Sequence, residues 1–307
     1  QSLDSALTLP MPERTPAILC FGEILWDFLP EGLFPGGAPF NVAYHLHRLG
    51  ANVRLLSGVG RDLLGDELLR RLKAWGIATD ALARHQGLPT GYVVATVAPN
   101  GDATYEIVPS VAWDQIAVPE DGVRAAMHAR ALVFGSLSQR STFNRAALDR
   151  LLAVLPATAW RVFDVNLRPP HDDLELVRAL ARQATLLKLN SAEAARLAAG
   201  GAESPGREEA DARALAAQAG SAIVCVTAGA RGAGLLRGGA WHWEPGREVA
   251  VADTVGAGDA FLAALLTGLL DGQLSDRDCL ARACRLGEWV ATQRGATPTY
   301  PANPACA

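Results

Sequence analysis

This sequence of 307 residues lacks the features that mark a disulfide-stabilised or a nucleic-acid-binding protein. Its five cysteines are odd in number and form no Cys-x-x-Cys pair, which favours reduced, mostly structural thiols. Lys and Arg total 28 against 32 Asp and Glu, with no long run of either sign. No broad nucleic-acid-binding surface is therefore visible, and any polyphosphate must be bound locally.

Long hydrophobic runs are missing as well. The longest apolar stretch, residues 260–270, contains Thr267 and Gly268 and is far shorter than the roughly 20 residues that span a bilayer, so it predicts a buried helix. Residues 1–15 lack the basic-then-apolar pattern of a secretion signal and are expected to form a loose extension. We therefore expect a soluble, cytoplasmic protein with no membrane partner.

Two common phosphate-binding motifs are also absent. The chain has neither a Gly-x-x-x-x-Gly-Lys-Ser/Thr element nor a complete Gly-x-Gly-x-x-Gly element, which argues against a P-loop enzyme and against a dinucleotide oxidoreductase. Half of the residues are apolar, so the chain can bury a large core. A folded protein of another class is expected.

Short apolar runs alternate with stretches of helical pattern along the chain. The runs predict buried parallel strands at 17–21, 53–57, 131–134, 161–165, 186–189 and 222–226. Helices are predicted at 41–49, 62–75, 142–155, 174–183, 191–199 and 208–219. Strands that alternate with helices predict a three-layer α/β/α sandwich with a mostly parallel central sheet.

Two further segments have extended patterns that do not fit this alternation. Residues 26–34 and 91–108 predict hairpins outside the main sheet, the second with a turn at Asn100-Gly101. Several predicted strands are followed directly by polar or glycine residues, and the carboxyl ends of parallel strands share one edge of a sheet. We therefore expect a single ligand site at that edge.

Residues 253–261 read Asp-Thr-Val-Gly-Ala-Gly-Asp-Ala-Phe and lead into the apolar helix. The first N–H groups of a helix lack intrahelical partners and carry partial positive charge, and Gly256 and Gly258 let the backbone approach a phosphate closely. A carboxylate repels phosphate, so the best use of Asp259 is to take a proton from a hydroxyl that attacks phosphorus. An ordinary helix start with an Asp cap explains the same residues.

A second glycine-rich segment, Gly-Gly-Ala-Pro-Phe-Asn-Val-Ala at residues 36–43, opens a helix near the N-terminus. In this order and at this separation, the two segments closely resemble the signatures of the PfkB, or ribokinase-like, carbohydrate kinases, and the first is nearest to its form in fructokinases. The likeness extends over residues 18–301. It implies a ribokinase-like kinase domain at 16–307 with a small β lid, formed by segments 25–38 and 89–111, that would exclude water.

The resemblance assigns roles to residues of both segments. It implies that Asp259 is the catalytic base and that the backbone around it forms an anion hole. The residues of that anion hole are Gly256, Ala257 and Gly258. The positions that match sugar-binding residues of the family are Asp27, Gly37 and Asn41. A surface carboxylate and a helix-start amide are the ordinary explanations for Asp27 and Asn41.

Residues 164–170 resemble the Asp-x-Asn-x-Arg segment of fructokinases and ketodeoxygluconate kinases. The resemblance makes Arg168 a substrate-binding residue that faces either the sugar or the phosphate. An ion pair between Asp164 and Arg168 at the strand end is the structural alternative.

Nucleotide binding is implied by three further places in the chain. Asn190 and Glu193 keep the family's Asn-x-x-Glu pattern, whose Glu acts through water on the Mg²⁺ that accompanies ATP, although an Asn cap with a first-turn Glu is common at any helix start. Residues 227–233 resemble a Thr-x-Gly-x-x-Gly-Ala nucleotide segment, for which a plain hairpin turn is the alternative. Its matching positions are Thr227, Gly229 and Gly232. Cys284 falls near the expected adenine pocket.

Some relatives also bind a monovalent cation through loop oxygens. The resemblance places Asp253 and Val255 to hold such an ion, for example K⁺, together with residues 295–296. The β lid could pair with a second copy through its strand edges to form a homodimer, but such edges can also be covered within one chain.

These observations predict an ATP-dependent sugar kinase, a fructokinase that transfers the γ-phosphate of ATP to the 6-hydroxyl of D-fructose. Specificity for ribose, 2-keto-3-deoxygluconate or a nucleoside stays open, because a few lid and pocket residues set it. Residues 134–139 read Phe-Gly-Ser-Leu-Ser-Gln where ribokinases have a sugar-contacting Glu, which speaks against ribose. A regulator that binds sugar or nucleotide without catalysis is the alternative from another class, and the intact Gly-Ala-Gly-Asp disfavours it.

Overall fold

The computed structural model describes residues 17–29, 32–97 and 103–301; the predicted Asn100-Gly101 turn and the extension at 1–15 lie outside them. The strands are β1 (Ile18–Phe21), β2 (Leu25–Leu29), β3 (Gly32–Gly36), β4 (Val53–Gly60), β5 (Leu82–His85), β6 (Gly91–Val97), β7 (Ala103–Ile107), β8 (Ala131–Gly135), β9 (Trp160–Asp164), β10 (Leu186–Asn190), β11 (Ile223–Thr227), β12 (Gly232–Arg237) and β13 (Ala240–Pro245). The helices are α1 (Ala38–Arg48), α2 (Leu63–Ala74), α3 (Glu120–Ala126), α4 (Thr142–Val154), α5 (Leu174–Ala181), α6 (Ser191–Ala199), α7 (Glu208–Ala219), α8 (Ala257–Asp271) and α9 (Asp276–Ala291).

The larger sheet has the strand order β13-β12-β11-β10-β9-β8-β1-β4-β5. Its strands pair in parallel from β11 through β5, whereas β12 and β13 are antiparallel. These pairings confirm the mostly parallel sheet that the alternating pattern predicts. Each predicted strand and helix is also present, with its ends shifted by at most a few residues.

Helices cover both faces of this sheet, as the buried strands require. Successive residues of a strand point to opposite faces, and in β1 Ile18 and Cys20 belong to one apolar cluster while Leu19 and Phe21 belong to another. The first cluster includes residues of α1, α2, α8 and α9, and the second includes residues of α3 to α7. The three-layer arrangement is therefore confirmed.

The smaller sheet has the order β3-β2-β6-β7, so the two predicted hairpins join through a parallel pairing of β2 with β6. The Trp26 indole N–H donates to the carbonyl oxygen of Leu64 at 3.0 Å, which ties β2 to α2. The rings of Phe28 and Tyr92 stack across the β2–β6 pair with centroids 5.0 Å apart. That this sheet acts as a lid stays a prediction.

One edge of the larger sheet gathers the polar residues that end or follow its parallel strands. Asp164 ends β9, Asn190 ends β10 and Thr227 ends β11, while Glu23 follows β1. Within the described ranges, no helix is both long and apolar enough to cross a membrane.

Candidate active site

Asp259 lies in the first turn of α8, the helix predicted from the apolar run at 260–270. The helix begins after Gly256, whose left-handed φ of 79° turns the chain into it. A Cβ at Gly256 would lie 2.6 Å from the Cα of Ala296, so the turn also needs glycine for space. Asp259 is partly exposed, and its Oδ2 accepts a hydrogen bond of 2.8 Å from Nδ2 of Asn41.

Asn41 comes from α1, so the two signature segments meet in one site. The residue before α1 is Gly37, which has a φ of 107°, and a Cβ there would lie 2.5 Å from the carbonyl oxygen of Glu23. This close approach holds the start of α1 against the end of β1. Oδ1 of Asn41 is buried and has no hydrogen-bond partner among the described residues. It is an acceptor that a hydroxyl entering the site can use.

Three carboxyl groups at this edge have raised pKa values because they are desolvated. Burial raises the pKa of Glu23 to about 7, and it raises the pKa values of Asp27 and Asp259 to about 6. The positive charge of Arg168 opposes the rise in pKa at all three. The structure thus brings Asp27, Asp259 and Arg168 into one electrostatic cluster, and their roles in binding and catalysis stay predictions.

Glu23 is a further member of this cluster, which the sequence placed at this edge without assigning it a specific role. It is buried, and its Oε1 accepts a hydrogen bond of 3.3 Å from the backbone N–H of Ala38 in the first turn of α1. Oε2 is buried and has no partner within the described part of the chain. Its place directly after a buried strand agrees with the prediction that residues in such positions share one ligand-binding edge.

Lys188 was not predicted as a site residue, and its contacts correct the alternative of an ion pair between Asp164 and Arg168. Its Nζ donates to both carboxylate oxygens of Asp164, at 3.1 and 3.0 Å, and both residues are buried. The partner of Asp164 is therefore Lys188 rather than Arg168. The sequence pattern that indicates such a pair is a lysine between two leucines in a strand expected to be buried, because a buried charge needs a partner.

Asn190 and Glu193 form the helix cap that was the structural alternative for this pair. The Asn190 side chain accepts the N–H of Glu193 at 2.8 Å, and Glu193 Oε2 accepts the N–H of Asn190 at 2.9 Å. Oε1 of Glu193 accepts the N–H of Leu167 at 2.7 Å, which fixes the backbone one residue before Arg168. Glu193 thus joins α6 to the loop after β9 at the edge where the site lies.

The residues predicted to bind nucleotide lie around the end of β11 and on α9. Thr227 ends β11, and its hydroxyl donates to the carbonyl oxygen of Leu189 at 3.4 Å. Gly229 and Gly232 flank a short 3₁₀ turn that leads into antiparallel β12, so the plain hairpin connection is present. Cys284 is a buried, free thiol on α9. None of these contacts tests whether the four residues bind nucleotide.

Asp253 joins the loop before α8 to the loop after α9. Its Oδ1 accepts the N–H of Val255 at 3.0 Å, and its Oδ2 accepts the N–H of Gly295 at 3.0 Å. Both carboxylate oxygens thus have backbone partners, and Val255 is exposed. The contacts tie the two loops together, and that these loops bind a cation stays a prediction.

A cavity of about 800 Å³ lies elsewhere, near the amino-terminal ends of β9, β11 and β13. It is lined by Trp160, Arg213 and Ile223 among others, and it includes none of the predicted site residues. This cavity is large enough for a ligand. It lacks the acid, amide and glycine groups that lie together at the carboxyl edge.

Comparisons with known proteins identify the family of the chain. Residues 31–303 match the sequence profile described as pfkB family carbohydrate kinase. The chain belongs to this family. A fructokinase of Escherichia coli is 31% identical over 296 residues, which cover 91% of this chain and 94% of that protein.

Solved structures show that this pfkB family member has the ribokinase-like fold. Aminoimidazole riboside kinase from Salmonella enterica, solved with aminoimidazole riboside and an ATP analog, gives a TM-score of 0.79 at 24% identity over 94% of this chain and 98% of that chain. A fructokinase double mutant from Vibrio cholerae, solved with fructose, ADP and a potassium ion, gives 0.78 at 24% identity over 92% and 94%. At these identities the structures establish the fold and leave the substrate open.

Proposed function

We propose that this pfkB family kinase transfers the γ-phosphate of ATP to the 6-hydroxyl of D-fructose, with Asp259 as the general base. The observation that carries the proposal is the position of Asp259 in the first turn of α8, hydrogen-bonded by Asn41 from α1. A base and the N–H groups of a helix start stand side by side there, as phosphoryl transfer to an alcohol requires.

The chain's own residues supply positioning and proton transfer in this proposal. Asn41 orients the Asp259 carboxylate and offers Oδ1 to the sugar, together with Asp27 and the backbone at Gly37. Asp259 takes the hydroxyl proton while the oxygen attacks phosphorus. The backbone N–H groups of Gly256, Ala257 and Gly258, at the positive end of α8, bind the negative charge of the transferring group.

The charges around Arg168 favour a neutral sugar over a sugar acid. Arg168 acts electrostatically on three carboxyl groups, those of Glu23, Asp27 and Asp259, so its positive charge is already opposed. The carboxylate of 2-keto-3-deoxygluconate would enter among these acids, where like charges repel. Fructose has no such group, and the fructokinase names among the relatives agree with this choice.

Glu193 is the residue proposed to act on Mg²⁺ through water, with Asn190 beside it. No cluster of three or more His, Cys, Asp or Glu that would suit a metal is present in residues 17–29, 32–97 and 103–301. Such a sparse donor set fits Mg²⁺, which keeps several waters and takes its other ligands from substrate phosphates. When bound, the ion neutralises charge on those phosphates.

The remaining site residues keep the roles that the resemblance implies. Thr227, Gly229, Gly232 and Cys284 are proposed to line the ATP site. Asp253 and Val255 are proposed to bind K⁺ together with residues 295–296, and the Vibrio cholerae fructokinase structure contains a potassium ion. A homodimer formed through the edges of the smaller sheet also stays a prediction.

The pH dependence of kcat/KM is expected to show the titration of Asp259. A general base works only when it is deprotonated, so activity is present above its pKa and is lost below it. Burial raises this pKa to about 6, so kcat/KM should fall as the pH drops through about 6. Initial rates between pH 5 and 8 test this, and a rate that stays constant down to pH 5 would contradict it.

The substrate assignment is tested by measuring ADP release with a panel of sugars. We expect kcat/KM for D-fructose to exceed that for 2-keto-3-deoxygluconate by at least about 100-fold, since like-charge contacts cost several kcal/mol. Ribose and nucleosides, including aminoimidazole riboside, complete the panel. A higher kcat/KM for any of these would replace fructose with that substrate. Ligand binding without ADP release from any of them would favour a regulator.

A further inference from the structure

Lys188 has an unusual place for its residue type. Only 7% of its surface is exposed, and it lies between Leu187 and Leu189 in β10. The chain has two lysines among its 28 basic Lys and Arg residues, and the other, Lys73, is exposed on α2. Placing this ammonium in the interior requires an anionic partner, which Asp164 provides through two contacts.

The Lys188 ammonium lies against the first turn of α8. A Cβ at Gly258 would come within 3.2 Å of Nζ, so the glycine gives the ammonium room beside this turn. The contacts with Asp164 account for two of its three N–H groups. A cation at a helix N-terminus is electrostatically unfavourable, because that end of the helix is itself positive. The arrangement becomes favourable when an anion occupies the same place.

Stability alone gives a weak reason for this pair. The desolvation of the two charges in a buried ion pair offsets much of their mutual attraction. Apolar residues of similar volume can often replace such pairs without loss of stability. The pair lies where Asp259 and the helix start converge, and the Lys188 charge acts on Asp164, Asp259 and Glu193. A role in the chemistry explains its position better than a role in the core does.

The charged and polar groups that face Asp259 come from several elements. They are Asn41 on α1, Asp164 on β9, Lys188 on β10, Arg168 after β9 and Glu23 after β1. Burial raises the pKa of Asp259 most, the Asp164 charge raises it further, and Lys188, Asn41 and Arg168 lower it. Lys188 and Asp164 therefore act on the base in opposite directions.

We infer that Lys188, held in place by Asp164, is a positioning residue for phosphoryl transfer, which supplies a fixed positive charge to Asp259 and to the anion bound at the start of α8. The inference rests on the proposed role of Asp259. The fixed charge supports the ionised base and offsets negative charge that grows beside α8 during transfer. Because the charge is held before the substrate arrives, no reorganisation is needed during the reaction.

The test compares Lys188→Met, Lys188→Arg and Asp164→Asn with the unchanged protein, in the full chain, by kinetics between pH 5 and 8. Lys188→Met should lower kcat by about 100-fold, with a smaller change in KM. It should also move the acid limb of the pH profile, which is the fall in activity at low pH, to higher pH. Asp164→Asn should move that limb to lower pH. Lys188→Arg should recover part of kcat. Lys73→Met, which alters the exposed lysine, should change nothing.

Several outcomes would overturn the inference. One is a normal kcat in Lys188→Met. Another is a lower kcat that is explained by a smaller fraction of folded protein, with the acid limb of the pH profile unchanged. If Lys188→Met does not fold, the double variant Lys188→Met/Asp164→Asn removes the unpaired charge. A low kcat in the folded double variant supports the inference, and a normal kcat overturns it.

A readout that needs no turnover separates this inference from the proposed function. The side-chain carboxyl carbon of Asp259 can be titrated by ¹³C NMR in the same variants. A higher pKa in Lys188→Met and a lower one in Asp164→Asn would support the electrostatic role even if no sugar of the panel were phosphorylated. Unchanged titration in both variants would overturn it, whichever sugar proves to be the substrate.

Discussion

Asp259→Asn is expected to lower kcat by about 10²–10⁴-fold, the usual contribution of a positioned general base. The substituted amide cannot accept the hydroxyl proton, but its oxygen can still accept the 2.8 Å hydrogen bond from Asn41. Binding of ADP and of the sugar should therefore persist. Steady-state kinetics with ADP detection, together with calorimetric titration of ADP, would separate the loss of turnover from a loss of binding.

The same substitution should leave the fold intact or make it more stable above pH 6. Burial raises the folded-state pKa of Asp259 to about 6, above its ordinary value, so the folded protein holds the proton more tightly than the unfolded chain does. The favourable contribution is present at low pH and is lost as the pH rises through about 6. A neutral Asn avoids that loss, so the Tm at pH 8 should stay constant or rise.

Asp271→Asn is a matched control at the other end of α8. Asp271 is exposed, and a negative charge at a helix C-terminus is unfavourable, so its removal should leave kcat unchanged. An Asp259→Asn enzyme with near-normal kcat would remove Asp259 as the base. If both variants lost activity to a similar degree, the effect would come from α8 as a whole and not from this carboxylate.

The sequence predicted the meeting of Asn41 with Asp259, although 218 residues separate them. The alternation of strands and helices predicts a parallel sheet with one ligand site at its carboxyl edge, and the resemblance of both glycine-rich segments to a kinase family placed them at that site. Resemblance to a family then assigned the chemistry. The hydrogen bond itself and the raised pKa depend on packing, which no spacing of residues in the sequence specifies.

Lys188 and Glu23 show why other roles in the site were not predicted. An apolar run predicts a strand, but a single Lys or Glu within or after it carries no period that would mark a role. Their meaning comes from neighbours across the sheet, since Lys188 pairs with Asp164 of the adjacent strand. Tertiary partners of this kind are invisible until strand order and register are known.

Two missed elements did carry local signals. The helix α9 starts after Ser275, whose hydroxyl accepts the N–H of Asp278, an ordinary cap signal. The hairpin of β12 and β13 turns at Gly238 and Gly239, which have φ values of 56° and 80°. A Gly-Gly pair between apolar runs predicts such a hairpin.

Gly256→Ala is expected to lower kcat by about 100-fold, because it displaces the first turn of α8. The left-handed φ of 79° costs a non-glycine residue about 1–2 kcal/mol. The added methyl carbon would also lie 2.6 Å from the Cα of Ala296, a backbone atom that cannot rotate away. Either α8 or the loop at Ala296 must move, and a shift of about 1 Å in a phosphoryl-transfer site costs about 100-fold in rate.

Gly272→Ala provides the matched comparison, since it alters the left-handed residue at the other end of the same helix. Gly272 has a φ of 70°, and no atom lies within 4 Å of its added Cβ. Both variants should lose stability through the strained φ, but only Gly256→Ala should lose turnover. Thermal unfolding and kcat measured on both would show this. Equal effects on kcat would mean that the position of the first turn of α8 does not control the chemistry.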